Sequence, residues 1–285
     1  MKAGFFTPLL ILTFLASATL HAQIGGITGK VVYTRGDHVR VHALGDPHYV
    51  DVGEGDVARW GPHGDRIAVK DGRTIYVVDA DGGNRIELVD DAEGRHCPIE
   101  FHPNGREVLF IRDDQIVAID IDTRSERIVV AGIDCNGEIG ISADGQRVVC
   151  RDDHILRAID LVHGTDTEYA DDHCSAGISP DGRLVMYNDN GKPHHLTVHI
   201  RQIDVDGAGS RPFATIRHRV ADDEPMGDNH SWSNHNHWIT FEGGKKRNGA
   251  PYMLNVITRR GYLMVDVEDT HYPDLWVAPE VTGTR

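Results

Sequence analysis

Short apolar runs rich in Val, Ile and Leu recur along this chain, each introduced by a polar five-residue turn. The runs Arg66-Ile67-Ala68-Val69, Glu107-Val108-Leu109-Phe110, Arg147-Val148-Val149-Cys150 and Leu184-Val185-Met186-Tyr187 follow the turns Trp60-Gly61-Pro62-His63-Gly64, Phe101-His102-Pro103-Asn104-Gly105, Ile141-Ser142-Ala143-Asp144-Gly145 and Ile178-Ser179-Pro180-Asp181-Gly182. A degraded fifth copy is Trp232-Ser233-Asn234-His235-Asn236. The turns end at positions 64, 105, 145, 182 and 236, in steps of 41, 40, 37 and 54 residues. A period near 40 marks a repeat architecture. Pro presets φ inside such a turn and Gly accepts φ > 0 at its end.

Each unit continues with a second run after a polar break: Ile75 to Asp79, Ile116 to Asp120, Ile155 to Asp160 and Ile200 to Asp204. A short outer run follows, such as Arg85-Ile86-Glu87-Leu88. No stretch shows the i, i+3, i+4, i+7 spacing of an amphipathic helix. Four strands in about 40 residues predict a β-propeller blade. Five complete units begin near residues 56, 97, 137, 174 and 228. Residues 29–52 offer three strands without an inner one, and Asp274-Leu275-Trp276-Val277 offers an inner strand without a blade. Joining the two ends gives a sixth blade and removes the exposed sheet edges. The expected fold is therefore all-β, a six-bladed β-propeller closed by N-terminal strands pairing with a C-terminal inner strand, with seven blades as the alternative count.

The Ser179-Pro180-Asp181-Gly182 type of turn, with the Asp-x-Asp-Gly hairpins at Asp79 to Gly82 and Asp204 to Gly207, resembles the TolB-like (WD40-like) propeller family of exported bacterial proteins. The resemblance covers roughly residues 29–277. It implies a periplasmic or cell-surface binding scaffold, and related propellers also carry lyases and peptidase lids. The unit at Trp232 and the His-rich character depart from the family pattern.

Residues 1–22 read as a secretory signal peptide, with Lys2 as the positive region, Phe5 to Leu15 as the apolar core, and Ala16-Ser17-Ala18 as the better cleavage site. Residues 23–285 then form a single propeller domain in the periplasm or outside the cell, expected as a monomer with no transmembrane segment in the mature chain. The formal charge of −15 argues against nucleic acid and anionic membrane surfaces as partners. Asp-x-Asp-Gly lacks the distant Glu of a calcium loop, and no Gly-x-Ser-x-Gly elbow marks a serine hydrolase. His194, His195 and His199 fall in a longer insertion of the fifth blade and read as an exposed loop.

Chemistry concentrates at the entry to the inner strands. Cys97 and Cys174 lie four residues before Phe101 and Ile178, and Cys135 lies six before Ile141. His96 and His173 precede two of these cysteines, His271 holds an equivalent offset before Trp276, and Asp228 and His230 enter the Trp232 strand. One mouth of the channel is thus expected to collect His96, Cys97, Cys135, His173, Cys174, Asp228, His230 and His271. Two readings stay open. His96, His173, His230 and His271 could hold a divalent transition metal, Zn, Cu or Mn. Alternatively, one disulfide joins two of Cys97, Cys135 and Cys174 while the histidines bond to backbone or water. Cys150 falls on a second strand and is expected as a buried single thiol. His235 and His237 fall in a turn at the other end of the inner strand from His230. The functional expectation is a scaffold binding a protein, peptide or glycan at the channel mouth. The alternative is a metal-dependent polysaccharide lyase-like enzyme, with Arg59 or Arg95 as cationic helpers.

Overall fold

A computed structural model describes residues 23–93, 99–132, 135–152, 155–170, 175–188, 197–203, 211–217, 219–220, 224–225, 230–243 and 249–280. Residues 1–22, read from the sequence as a signal peptide, lie outside them. Six four-stranded antiparallel sheets form the blades of a ring. Blade 1 runs His271–Val277, Gly29–Arg35, His38–Ala43, Tyr49–Glu54, from the channel outward. Blade 2 is Val57–Trp60 to Ile86–Val89, blade 3 Glu100–Phe101 to Glu126–Val130, and blade 4 Cys135–Ile141 to Thr165–Ala170. Blade 5 is Gly177–Ile178 to Arg211–Arg217, and blade 6 Ser231–Trp232 to Arg260–Leu263. The third strand of blade 5 is Thr197–Gln202, earlier than the run read from Ile200. A small ribbon, Arg219–Val220 paired with Glu224–Pro225, falls within the long 54-residue step.

Blade strands near the channel are buried on both faces, so they read as continuous apolar runs rather than strict alternation. Alternate residues feed opposite neighbours. Leu109 and Ile111 pack toward blade 4 with Val148 and Cys150. Val108 and Phe110 pack toward blade 2 with Ala68 and Val77. Val149 of blade 4 joins Val185 and Tyr187 of blade 5. The same pattern fills the remaining junctions, giving one apolar cluster between each pair of adjacent blades. Full burial of one such side chain is worth about 1.5–3 kcal/mol.

The repeated turn explains its own sequence. Gly64, Gly105, Gly145 and Gly182 sit at φ of 69, 68, 69 and 67°, the left-handed region that favours glycine. Ser142 and Ser179 accept the amides of Arg147 and Leu184 on Oγ, and Asp144 and Asp181 accept those of Gln146 and Arg183. The turns also stack on their neighbours around the ring. A Cβ on Gly64 would strike the Trp276 indole, one on Gly145 would meet His102, and one on Gly182 would meet Ser142. In the degraded unit, the Ser233 hydroxyl instead accepts the His235 amide and donates to the Trp238 carbonyl, and His235 Nδ1 accepts the His237 amide at 3.2 Å where the other units use a carboxylate or amide oxygen.

Closure is built as the chain ends suggest. Gly29–Arg35 pairs with His271–Val277 in the register Gly29↔Val277, Val31↔Leu275, Val32↔Asp274, with an irregularity between Val32 and Thr34. Asn234 of blade 6 locks the end of this strand, accepting the Val277 amide at 2.6 Å and donating to the Val277 carbonyl at 3.0 Å.

The cysteine expectation is corrected. Cys135 and Cys150 form a disulfide with Cα atoms 5.9 Å apart, so Cys150 is not a single thiol and Cys135 is not a free mouth ligand. The cause is a bulge in the inner strand of blade 4: Cys135 pairs with Asp152, yet Ile139 pairs with Cys150. The extra residues turn Cys135 into the core cluster between blades 3 and 4. Its offset of six rather than four was the signal.

Truncating the chain after Thr270 removes the inner strand of blade 1 and leaves Gly29–Arg35 as its channel edge. We expect a loss of several kcal/mol or more, far above the roughly 2–4 °C that 1 kcal/mol shifts in a domain of this size. A truncated protein whose thermal transition stays within about 2 °C of the full chain contradicts closure by this strand.

Candidate functional site in the central channel

All six innermost strands line one cavity of about 280 Å3 on the ring axis. The residue before each aligned apolar position faces this space: Arg59, Glu100, Gly140, Gly177 and Ser231. Blades 4 and 5 put glycine there, where a Cβ on Gly140 would meet Val149 and Ile178 and one on Gly177 would meet Met186, while blades 2 and 3 put charge there. Blade 1 adds Asp274 and blade 6 adds His230. Phe101, Ile139, Ile178 and Trp232 make the wall apolar.

Asp274 ties three blades together. Its carboxylate accepts the Trp60 amide of blade 2 at 2.8 Å and the Ser231 hydroxyl of blade 6 at 3.3 Å. The Trp60 indole donates to the Asp274 carbonyl at 3.1 Å. Arg59 is buried and stands 3.9 Å from Glu100 across the blade 2–3 junction, donating to the Ala58 carbonyl. Glu100 accepts the Phe101 amide at 3.1 Å. The blade 4 bulge carries Glu138 into the lining, 3.3 Å from Arg151 of the next strand.

A buried carboxylate, Asp274, and a partly buried one, Glu100, thus share one guanidinium. Burial pushes the Glu100 carboxyl up to about 8; Arg59 opposes this and the neighbouring Asp274 charge adds to it. The 23% of the Glu100 side chain that stays open faces the cavity, so desolvation still dominates. Burial also raises Asp274, against the pull of Arg59 and the hydrogen bonds from Trp60 and Ser231.

The sequence-derived mouth residues divide three ways. His96, Cys97, His173, Cys174 and Asp228 lie outside the described residues, as does Arg95. His230 is buried, lines the cavity and stacks on Phe241 with ring centroids 5.9 Å apart. His271 is half-exposed and hydrogen-bonds Glu242 at 3.4 Å, a contact that raises its pKa. Phe241 and Glu242 are consecutive in one strand and point to opposite faces, so blade 6 separates His230 from His271. Among the described residues, no three His, Cys, Asp or Glu side chains converge as a metal-binding group. His235 and His237 lie in the blade 6 turn, as expected from the alignment, with ring centroids 5.1 Å apart. Arg59 was legible as a cation near the mouth. Glu100, Glu138 and Asp274 were missed, although charge at the position before the aligned apolar residue marked Glu100.

With an all-β ring of six blades and a charged channel, the class is a six-bladed β-propeller, and its fold is TolB-like. TolB from Acinetobacter baumannii superposes with a TM-score of 0.64 at 16% identity, over 87% of this chain and 66% of that protein. A chain of the nidogen/laminin complex gives a TM-score of 0.64 at 9% identity, covering 88% of this chain and 98% of its own length. A TolB-named protein from Agrobacterium tumefaciens gives 0.56 at 12% identity, covering 90% and 100%. This chain spans just under two thirds of the Acinetobacter protein. No protein-family model and no curated protein matches the chain.

The raised carboxyl predicts a pH effect of definite sign. Between its ordinary 4.5 and about 8, the folded state holds a proton on Glu100 that the unfolded state has lost. Stability from this group is complete below that range and disappears as pH rises through it. His271 runs in the same direction, so the comparison needs Glu100→Gln beside wild type. The melting temperature of Glu100→Gln relative to wild type should climb between about pH 5 and 9. A constant difference across that range contradicts the assignment.

Proposed function

We propose that this protein is an exported binding scaffold that receives a protein, peptide or glycan segment at the mouth of its channel. One observation carries the reading. The inner strands of all six blades enclose a cavity whose charged lining, Arg59, Glu100 and Glu138, lies outside the closing ladder of Gly29–Arg35 with His271–Val277. Closing the ring needs Asp274 but not these three. Placing charge in a buried channel costs stability, which a folding role alone does not call for. The Cys135–Cys150 disulfide supports an oxidising compartment, in line with the signal sequence at 1–22. Among the described residues, no helix is long and apolar enough to cross a membrane. The likeness to TolB and to a chain of the nidogen/laminin complex supports the scaffold at the level of fold.

Ala143 offers the test. It is exposed, lines the cavity and belongs to the repeated turn, at the channel rim at the opposite end of the inner strands from His230, so a bulky side chain there obstructs the channel itself. Peptides from a displayed random library and ligands from a glycan array, selected on wild type, should lose at least tenfold in affinity for Ala143→Trp, on the order of 1.4 kcal/mol or more. The melting temperature should stay near wild type, because the substitution touches no core cluster. Binders that ignore the obstruction would place recognition elsewhere and overturn the reading.

A further inference from the structure

We propose that the channel recognises an alkylammonium group, a cationic head on an apolar stem, presented by a lysine side chain or a free amine; this rests on the scaffold reading above. The first ground is shape. The cavity is axial, about 280 Å3, and Phe101, Ile139, Ile178 and Trp232 give it apolar and aromatic walls. Such walls suit a hydrocarbon stem, and aromatic faces attract a cation.

The second ground is the charge arrangement. Arg151 balances Glu138 on blade 4. Among the described residues, Arg59 alone serves both Glu100 and Asp274, which leaves the described group one positive charge short. Asp274 is already engaged by the Trp60 amide and the Ser231 hydroxyl. Glu100 is not. One oxygen takes the Phe101 amide, and the other stands 3.9 Å from the Arg59 guanidinium, beyond hydrogen-bond range. Among the described residues, His230 of blade 6 is the remaining titratable group in the lining. An ammonium ion at the open oxygen of Glu100 would complete the charge set with a strong charge-assisted bond. An anion there would meet two carboxylates. The raised pKa of Glu100 agrees with this, because a proton holds the place of the missing cation. The formal charge of −15 further favours the approach of cationic ligands.

Binding should therefore release a proton, and calorimetry on the full protein reads it directly. The probes are n-butylammonium, n-butanol, butyrate, Nα-acetyl-lysine amide and its Nε-acetylated form. We expect saturable binding of n-butylammonium only among the first three. Affinity should rise with pH, by up to about tenfold per unit below the Glu100 pKa. Close to one proton should be released at pH 7 when buffers of different ionisation enthalpy are compared. Glu100→Gln should weaken binding at least tenfold and abolish its pH dependence. Binding of the lysine amide but not of its Nε-acetylated form identifies a side chain as the source, and binding of n-butylammonium alone identifies a small amine. Equal binding of butanol, stronger binding of butyrate, absence of saturable binding, or pH-independent binding overturns the proposal. If the amines fail while Ala143→Trp still removes selected partners, the scaffold reading stands and the ligand class falls. The wild-type proton count tests the idea even if Glu100→Gln does not fold.

Discussion

A ring of sheets is a single object only where its last strand meets its first. Here that meeting is the ladder between Gly29–Arg35 and His271–Val277. The Asp274 carboxylate at its centre reaches the Trp60 amide on one side and the Ser231 hydroxyl on the other. Three blades are thereby fixed around the axis by one buried side chain. Lys30 of the same blade donates to the Gly64 carbonyl and lies 5.7 Å from the rings of both Trp60 and Trp276, extending the junction toward the turn belt. Without this ladder, blade 1 loses its inner strand and the channel loses a wall.

The channel inherits its properties from that constraint. Each junction between blades is filled by its own apolar cluster, and the glycine turns back onto their neighbours at one rim. Walls held this way cannot collapse onto the axis, so the cavity persists and the charges in it stay desolvated. That is why Glu100, with one oxygen on a backbone amide and a distant guanidinium, keeps its proton near neutral pH. The same rigidity makes the lining a fixed pattern of charge and aromatic surface, which is what a recognition site needs.

Much of this was legible in the sequence. The glycine-ended turns set the period because only glycine fits their backbone and their packing against the next turn, and the unmatched strands at the two ends foretold closure. Other features depend on geometry that spacing does not record. The bulge that brings Cys135 to Cys150 follows from two extra residues in one strand, and simple offset counting treated Cys135 as equivalent to Cys97 and Cys174. His271 shares its offset with His96 and His173, and His230 was read as entering the same ring, yet His230 and His271 contact opposite faces of one strand. The acid pair was hidden because Glu100 and Asp274 come from distant stretches of chain, and only ring closure brings their charges together. His235 looked like decay of the motif, but its Nδ1 does the work of the lost carboxylate.

The account stands on the closing strand being part of the cooperative ring. Native-state amide hydrogen exchange tests this most directly, at Trp60, at Val31 to Tyr33 and at Leu275 to Val277. Their amides should exchange together, at the slow rate set by global unfolding, because opening any one of them breaks the ring. Fast exchange confined to Leu275–Val277, with Trp60 and the other blades still protected, would show an unclosed propeller and contradict both the ring and the channel built on it.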